Sequence, residues 1–168
     1  MTAKVLVAYA SKYGGTAGIA EKIGAVLREA GLEVDVLPAD RVSDVTPYRA
    51  VVLGSGVYIG QWRKEAAALL KANEMALAGR PVWLFSSGPT GQEPVEKALQ
   101  GWRFPEGLQP IADRIKPRDI VVFRGVADAQ KLGFADRLIL KGVKAPTGDF
   151  RDWEAITAWA VSIAAALQ

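Results

Sequence analysis

The chain has 168 residues, of which 50% are hydrophobic and 23% are charged, so residues 1–168 have the size and composition of a single folded domain. It contains no cysteine and no histidine, which excludes disulfides, iron–sulfur clusters, the usual zinc sites and the Ser-His-Asp and Cys-His mechanisms. The net charge of +3 is too small to indicate nucleic-acid binding, and redox chemistry has to come from a bound organic cofactor.

The N-terminal half alternates short apolar runs with stretches of helical periodicity. Apolar runs bounded by Gly, Ser and Pro are typical of strands, and apolar residues three and four apart are typical of a helix with one buried face. The predicted elements are a buried strand over 4–9, a helix from Thr16 to Ala30 that ends at Gly31, a strand over 33–37 and a fully apolar strand over 50–54.

The C-terminal half continues this alternation with one irregular, proline-rich stretch over 87–117. The elements predicted here are a helix beginning near Trp62, a strand over 82–85, two helical turns over 93–99, a strand over 120–123 and an amphipathic helix over 131–143. Asp152 is the predicted N-cap of a last helix. The residues on the inner face of that helix are Trp153, Ile156, Trp159, Ala160, Ile163 and Leu167.

Strands that alternate with helices predict parallel pairing, and five such strands predict a doubly wound α/β sheet with the order 2-1-3-4-5, although a Rossmann-like order stays open. In this arrangement a ligand binds beyond the carboxyl ends of the strands, where the strand order reverses. Residues 10–16 and 55–62 meet at that point, and residues 86–92 lie beside them. All three loops are rich in Gly, Ser and Thr.

The first loop, Ser11-Lys-Tyr-Gly-Gly-Thr16, joins a buried strand directly to a helix. Its glycines allow turns that point main-chain N–H groups inward, and the helix N-terminus adds positive potential. The loop therefore predicts a phosphate-binding cradle, with a plain strand-to-helix turn capped by serine as the equal alternative. A P-loop, a G-x-S-x-G nucleophile elbow and a receiver-type acidic pocket are absent, and Gly54-Ser-Gly-Val-Tyr-Ile-Gly60 has the wrong spacing for a dinucleotide fingerprint.

The Ser-x-x-Gly-x-Thr pattern at 11–16 resembles the FMN phosphate loop of flavodoxins, with Tyr13 in place of a usual threonine. Residues 52–62 resemble the second FMN loop, and the likeness is greatest to the branch of menaquinone-dependent protoporphyrinogen dehydrogenases, which 136–141 and 152–155 also resemble. The resemblance implies a flavodoxin-like fold, FMN as the cofactor and no metal. The implied FMN-binding residues are Ser11, Lys12, Tyr13, Gly14, Gly15, Thr16, Val57, Tyr58, Ile59, Gly60, Ser87, Gly88, Pro89 and Gly91.

The flat flavin ring needs an aromatic face, which Tyr58 or Trp62 would supply, with Tyr13 over the other edge. Main-chain N–H groups around Ser87, Gly88 and Gly91 are candidates to bond the ring carbonyls. Because the loops hold almost no carboxylates, Lys12 and Arg63 predict a stabilised anionic hydroquinone and a less reducing flavin than in acidic flavodoxins. No residue is assigned as a catalytic acid or base.

The leading functional hypothesis is an FMN-dependent oxidoreductase that passes electrons to a quinone. The alternatives are an electron carrier that serves a redox protein and a flavin-free binding module of the same fold. The basic segment Lys131–Lys144 is either a solvated helix over the sheet edge or a peripheral contact with an anionic membrane surface. No signal or membrane segment is recognised, so a cytoplasmic location is expected.

Overall fold

The computed structural model describes residues 4–90, 97, 99–127, 133, 136, 138 and 148–168. The strands are β1 Val5–Ala10, β2 Val34–Pro38, β3 Ala50–Tyr58, β4 Gln61–Trp62, β5 Val82–Ser87, β6 Asp119–Phe123, β7 Val126–Ala127 and β8 Gly148–Asp149. The helices are α1 Gly15–Glu29, α2 Lys64–Ala72, α3 Glu74–Ala78, α4 Gln109–Ile115 and α5 Trp153–Leu167. Short 3₁₀ turns cover Ala39–Arg41 and Glu106–Leu108.

Five parallel strands form the main sheet in the order β2-β1-β3-β5-β6. The two-residue strand β4 folds back antiparallel onto the end of β3, and β7 and β8 form a separate antiparallel pair. With β4 set aside, this is the predicted order 2-1-3-4-5, so the flavodoxin-like fold class is confirmed and the Rossmann-like order is excluded. The strand order reverses between β1 and β3, which places a crevice beyond their carboxyl ends.

The central strands show no alternation of apolar and polar residues, because both faces of the sheet are buried. One face packs on α1 and α5 and contains an aromatic group in which Phe123 lies 5.5 Å from Trp159, ring centroid to ring centroid. The other face packs on α2, α3 and α4. Since helices cover both faces, β1, β3 and β5 are buried along nearly their whole length.

Helix α1 ends where the sequence predicts, through main-chain bonds around Gly31. The Gly31 N–H donates to the carbonyl of Arg28, and the Leu32 N–H donates to the carbonyl of Leu27. Gly31 has a φ of +94°, which a residue with a side chain rarely adopts. The chain therefore leaves the helix sharply and enters β2.

The final helix begins at Trp153, and the Asp152 carboxylate accepts a hydrogen bond of 3.1 Å from the Ala155 N–H. The predicted N-cap is confirmed, but the predicted burial of Trp153 is wrong, since this side chain is 39% exposed. Its indole packs instead beneath the guanidinium of Arg151, whose carbon lies 4.8 Å from the ring centroid. A cation–π contact at the first helical position replaces core packing.

Two predicted helices fall mostly outside the described residues. Of the 93–99 helix, only Lys97 and Leu99 are described, and both are helical. Of the basic segment Lys131–Lys144, only Gly133, Asp136 and Leu138 are described, so its predicted membrane contact stays a prediction. Across the described ranges, the helices are all too short or too polar to span a lipid bilayer.

Candidate functional site

The candidate site lies where the chain leaves β1, β3 and β5 at their carboxyl ends. The first of these loops turns through a hydrogen bond of 3.0 Å from the Gly14 N–H to the Ser11 hydroxyl oxygen. Gly14 has a φ of +90° and precedes the first helical residue, Gly15. The first turn of α1 carries no acidic side chain, and no side chain caps its N–H groups. The positive end of a 15-residue helix therefore opens into the crevice.

The antiparallel pair of β7 and β8 lies directly against this loop. A Cβ atom on Gly15 would lie 2.4 Å from a methyl carbon of Val126 in β7, so glycine is required for this close approach. Arg151 donates to the Gly15 carbonyl at 3.3 Å and pairs with the Asp149 carboxylate at 2.6 Å. Val126 of β7 and Arg151, which follows β8, thus hold the outer side of the first loop in place.

Thr16 lies at the floor of the loop and is only 5% exposed. A Cβ atom on Gly56 would lie 3.1 Å from its hydroxyl oxygen, so the glycine in β3 leaves room beside that group. Within the part of the chain that the structure describes, the Thr16 hydroxyl has no hydrogen-bond partner. A hydroxyl without a partner, next to the N-terminus of a helix, fits a phosphate group, which would accept from both.

The second loop is a two-residue hairpin turn between β3 and β4. Its central residues, Ile59 and Gly60, have φ values of +49° and +70°, and Tyr58 pairs with Gln61 across the turn. This is the turn type that suits the twist of a hairpin, but a β-branched residue in it is strained. The Ile59 side chain is 70% exposed. An isoleucine at this position therefore neither suits the backbone conformation of the turn nor contributes to the core.

Trp62 does not face the crevice, and its predicted role as a stacking partner for the flavin is wrong. The side chain is 6% exposed and lies edge-on to Phe104, with ring centroids 5.1 Å apart. Its indole N–H donates to the Ser86 hydroxyl at 2.8 Å. Trp62 is therefore a core residue that ties β4 to β5, and Tyr58 remains the aromatic candidate at the second loop.

In the third loop, the main-chain groups are already bonded within the protein. The Gly88 N–H donates to the Phe123 carbonyl at 3.2 Å, and the Pro89 carbonyl accepts from the Gly125 N–H at 2.9 Å. The Gly88 N–H is therefore not free to bond a ring carbonyl, contrary to the prediction. Ser87 is buried at the end of β5, and Gly91 lies outside the described residues.

Sequence reasoning missed the most connected side chain of the site, Asp136. Its carboxylate accepts from Lys12 Nζ at 2.6 Å and from the hydroxyls of Tyr13 and Tyr58. Asp136 is only 5% exposed. The Lys12 ammonium and the two hydroxyls lower the pKa of the Asp136 carboxyl to about 2. Residues 136–141 carry part of the family resemblance, but the sequence does not show that Asp136 contacts the first loop, because 124 positions separate it from Lys12.

These contacts also correct the predicted charge of the site. Lys12 is paired with Asp136, and Arg63 lies 3.5 Å from a carboxylate oxygen of Glu65. The hydrogen bond to Asp136 raises the pKa of Lys12, so the pair stays ionised and locally neutral. Both cations expected to stabilise an anionic flavin therefore have carboxylate partners. Groups of acidic side chains suited to a metal ion are absent from the described ranges.

Comparison with known proteins agrees with this geometry. The family model described as "Flavodoxin domain" matches residues 6–154. Flavodoxin 2 from Bacillus cereus is similar over 98% of this chain and 99% of its own, with 22% identity and a TM-score of 0.63. A flavodoxin from Streptococcus pneumoniae covers the same shares with 19% identity and a TM-score of 0.62. An archaeal flavodoxin covers 98% of both chains with 14% identity and a TM-score of 0.63.

No curated protein matches the sequence. Proteins of the flavodoxin family bind FMN, and the uncapped helix and the Thr16 hydroxyl at the first loop fit the phosphate of that cofactor. The cofactor predicted from the sequence is therefore confirmed. Because the family model spans most of the sequence and the strand order is that of the fold, the chain belongs to the flavodoxin domain family.

Proposed function

We propose that this protein carries electrons on FMN between a donor and an acceptor. The observation that carries the proposal is the first loop, where an uncapped helix N-terminus and the Thr16 hydroxyl lie together without a hydrogen-bond partner among the described residues. A site of this kind binds a phosphate without a metal ion. It anchors the cofactor and leaves the ring to the neighbouring loops.

The residues of the site have different roles in binding the cofactor. Ser11 and Gly14 shape the turn through their own hydrogen bond, Gly15 brings its main-chain N–H group to the phosphate at the start of α1, and Thr16 adds a hydroxyl. Tyr58 offers an aromatic face at the second loop, held by its hydroxyl. When bound, FMN supplies reversible acceptance of electrons, while the protein supplies orientation and electrostatics.

The test is electron transfer by the reconstituted protein. Protein loaded with FMN and reduced chemically without oxygen is mixed with ferricytochrome c, and the rate is compared with that of free FMN reduced in the same way. An electron carrier gives a rate that saturates with the concentration of acceptor, because transfer takes place within a docked complex of the two proteins. A rate equal to that of free FMN, unaffected by the protein, would contradict the proposal.

A second candidate, transfer to a quinone, is favoured by the exposed apolar side chain of Ile59. This residue stands 70% exposed on a strained turn next to Tyr58, at the mouth of the site. Strained residues that expose apolar surface are found at functional sites, where they contact a ligand. The resemblance to protoporphyrinogen dehydrogenases points the same way, and a porphyrinogen substrate stays a prediction.

A soluble naphthoquinone separates the two candidates. If the quinone docks on Ile59, the Ile59→Ser variant is reduced at the wild-type rate but reoxidised several-fold more slowly by the quinone. Its rate with ferricytochrome c is unchanged. Equal reoxidation of both proteins by the quinone would leave electron carriage to a protein acceptor as the function.

A further inference from the structure

We propose that Asp136 is a positioning residue of the flavin site: it fixes the Tyr58 ring through its hydroxyl and cancels the charge of Lys12. The inference rests on the proposed binding of FMN and goes beyond it. Asp136 lies outside all three loops that the strand order assigns to the cofactor. It therefore adds one residue from the chain between β7 and β8 to the site.

The geometry is that of one carboxylate shared by two loops. One oxygen of Asp136 accepts from Lys12 Nζ at 2.6 Å and from the Tyr13 hydroxyl, both on the first loop. The other oxygen accepts from the Tyr58 hydroxyl on the second loop. Both oxygens are thus in use, and the residue is 5% exposed. A nearly buried carboxylate with three donors has a fixed position and fixes its donors in turn.

Lys12 is held by the two aromatic rings as well as by the carboxylate. Its ammonium nitrogen lies 5.3 Å from the ring centroid of Tyr13 and 5.2 Å from that of Tyr58. If Asp136 loses its charge, the rings still keep the cation beside the second loop. The cation would then act on a flavin ring next to Tyr58 without compensation.

This arrangement predicts that the charges of Lys12 and Asp136 have opposite effects on the affinity for reduced FMN relative to oxidised FMN. Reduction of FMN adds negative charge, so an unpaired cation strengthens binding of the reduced form relative to the oxidised form, and an unpaired carboxylate weakens it. Both forms carry the same phosphate, so the ratio of their dissociation constants is insensitive to phosphate binding. A role of Asp136 in packing alone would weaken both forms equally.

The experiment measures this ratio, through the midpoint potentials of bound and free FMN, in Asp136→Asn, Lys12→Met and the double variant. Asp136→Asn is expected to raise the relative affinity for reduced FMN about fivefold, the upper end for a partly exposed charge pair. Lys12→Met shifts it in the opposite direction, and the double variant returns it to near the wild-type value.

A matched control comes from the other end of the sheet. Glu74 and Arg114 form an ion pair at the same N–O distance of 2.6 Å, far from the loops of the site. Glu74→Gln and Arg114→Met change the net charge in the same way as the test variants. In both control variants, the ratio of the dissociation constants for oxidised and reduced FMN is expected to equal that of the wild type. This result would exclude a general effect of net charge on the ratio.

A second readout needs no flavin. The hydrogen bond to Asp136 raises the pKa of the Tyr58 phenol, whereas burial raises the pKa of Tyr48 to about 12 and provides an internal reference. In flavin-free protein followed by phenolate absorbance, the step that Tyr58→Phe removes should move to lower pH in Asp136→Asn. The Tyr48 step should stay in place.

The outcomes separate the inference from the proposed function. Wild-type protein that binds FMN, with equal ratios in wild type and Asp136→Asn, overturns the role of Asp136 alone. An unmoved Tyr58 step in Asp136→Asn overturns it as well. Failure of the wild type to bind FMN contradicts the proposed function together with this inference. Opposite shifts in the two single variants, cancelling in the double variant, support it.

Discussion

The two ends of the parallel sheet use their polar side chains in different ways. At the amino ends of the strands, Arg80 donates to the carbonyls of Val45, Thr46, Tyr48 and Ala76 at 2.6 to 3.1 Å. At the carboxyl ends, the N-terminus of α1 is uncapped and Thr16 is buried without a partner in the described chain. At the amino ends, a side chain forms hydrogen bonds with main-chain carbonyls of the protein. At the carboxyl ends, hydrogen-bond donors are left over for a ligand.

The same difference separates the two ion pairs. Glu74–Arg114 and Lys12–Asp136 have equal N–O distances, but Asp136 also binds two tyrosine hydroxyls and is far more buried than either partner of the first pair. Distance therefore does not distinguish a surface pair from a pair in a site. The burial of the carboxylate and the number of its additional hydrogen-bond donors distinguish the two kinds of pair.

The largest effect on stability is expected at the amino end. Arg80→Met should lower the free energy of unfolding by about 3 kcal/mol, because several loop carbonyls lose a charged donor. FMN affinity should stay at the wild-type value. Urea denaturation measures the loss of stability, and titration with FMN measures the affinity. Weaker FMN binding by the folded Arg80→Met variant would contradict the separation of structural and ligand-binding roles between the two ends of the sheet.

The converse is expected for Thr16. Thr16→Val keeps the shape of the side chain but removes the hydroxyl, so FMN should bind about 30-fold more weakly, as for one lost hydrogen bond to a charged group. Stability without FMN should not fall, because no bond within the described chain is lost. Thr16→Ser is the matched variant and should bind FMN at near wild-type affinity.

Trp62 lies at the carboxyl end but belongs to the core. Trp62→Phe should destabilise the protein by about 2 kcal/mol, since it removes the bond to Ser86 and leaves a void beside Phe104. The absorption spectrum of bound FMN should not change. A spectral shift comparable to that of Tyr58→Leu would show that Trp62 contacts the flavin after all.

Relief of strain at the second loop is a smaller effect. Ile59→Asn should stabilise the protein by about 1 kcal/mol, because asparagine tolerates a positive φ and isoleucine does not. Thermal unfolding without flavin measures the gain. Leu138→Asn, another exposed apolar side chain, is the control and should give no comparable gain.

The pH dependence of stability tests the pairing of Asp136 with its three donors. The Asp136 carboxyl has a pKa of about 2 when folded against an ordinary value of 3.8, so the folded state favours its charged form. Its contribution to stability is complete above pH 4 and is lost as the pH falls through about 2. The stability difference between wild type and Asp136→Asn should shrink over that interval. A stability difference that stays constant between pH 4 and pH 2 would contradict the ionised pairing of Asp136.

The first loop could be predicted from the sequence because all its parts are contiguous. Ser11, the two glycines and Thr16 follow one strand, and the switch point of a parallel sheet gives their location. The alternation of apolar runs and helices predicted the parallel sheet, whereas it left the strand order open between the flavodoxin-like and the Rossmann-like arrangement. Main-chain chemistry that depends on consecutive residues can therefore be predicted from their order in the chain.

The ring side could not be predicted in this way. Trp62 is buried because Phe104 and Ser86, distant in sequence, surround it, and its residue type alone does not show that. The predicted basic character of the site was wrong because charges were compared along the loops, whereas Asp136 reaches Lys12 from across the sheet. Side-chain partners separated by more than a hundred residues depend on tertiary packing.

The most direct test of the account is the binding of FMN and riboflavin by flavin-free protein, followed by quenching of flavin fluorescence. If the first loop anchors the phosphate, riboflavin, which lacks that group, should bind about 100-fold more weakly than FMN. Equal affinities for the two flavins, or no binding of FMN, would contradict the assignment of this loop.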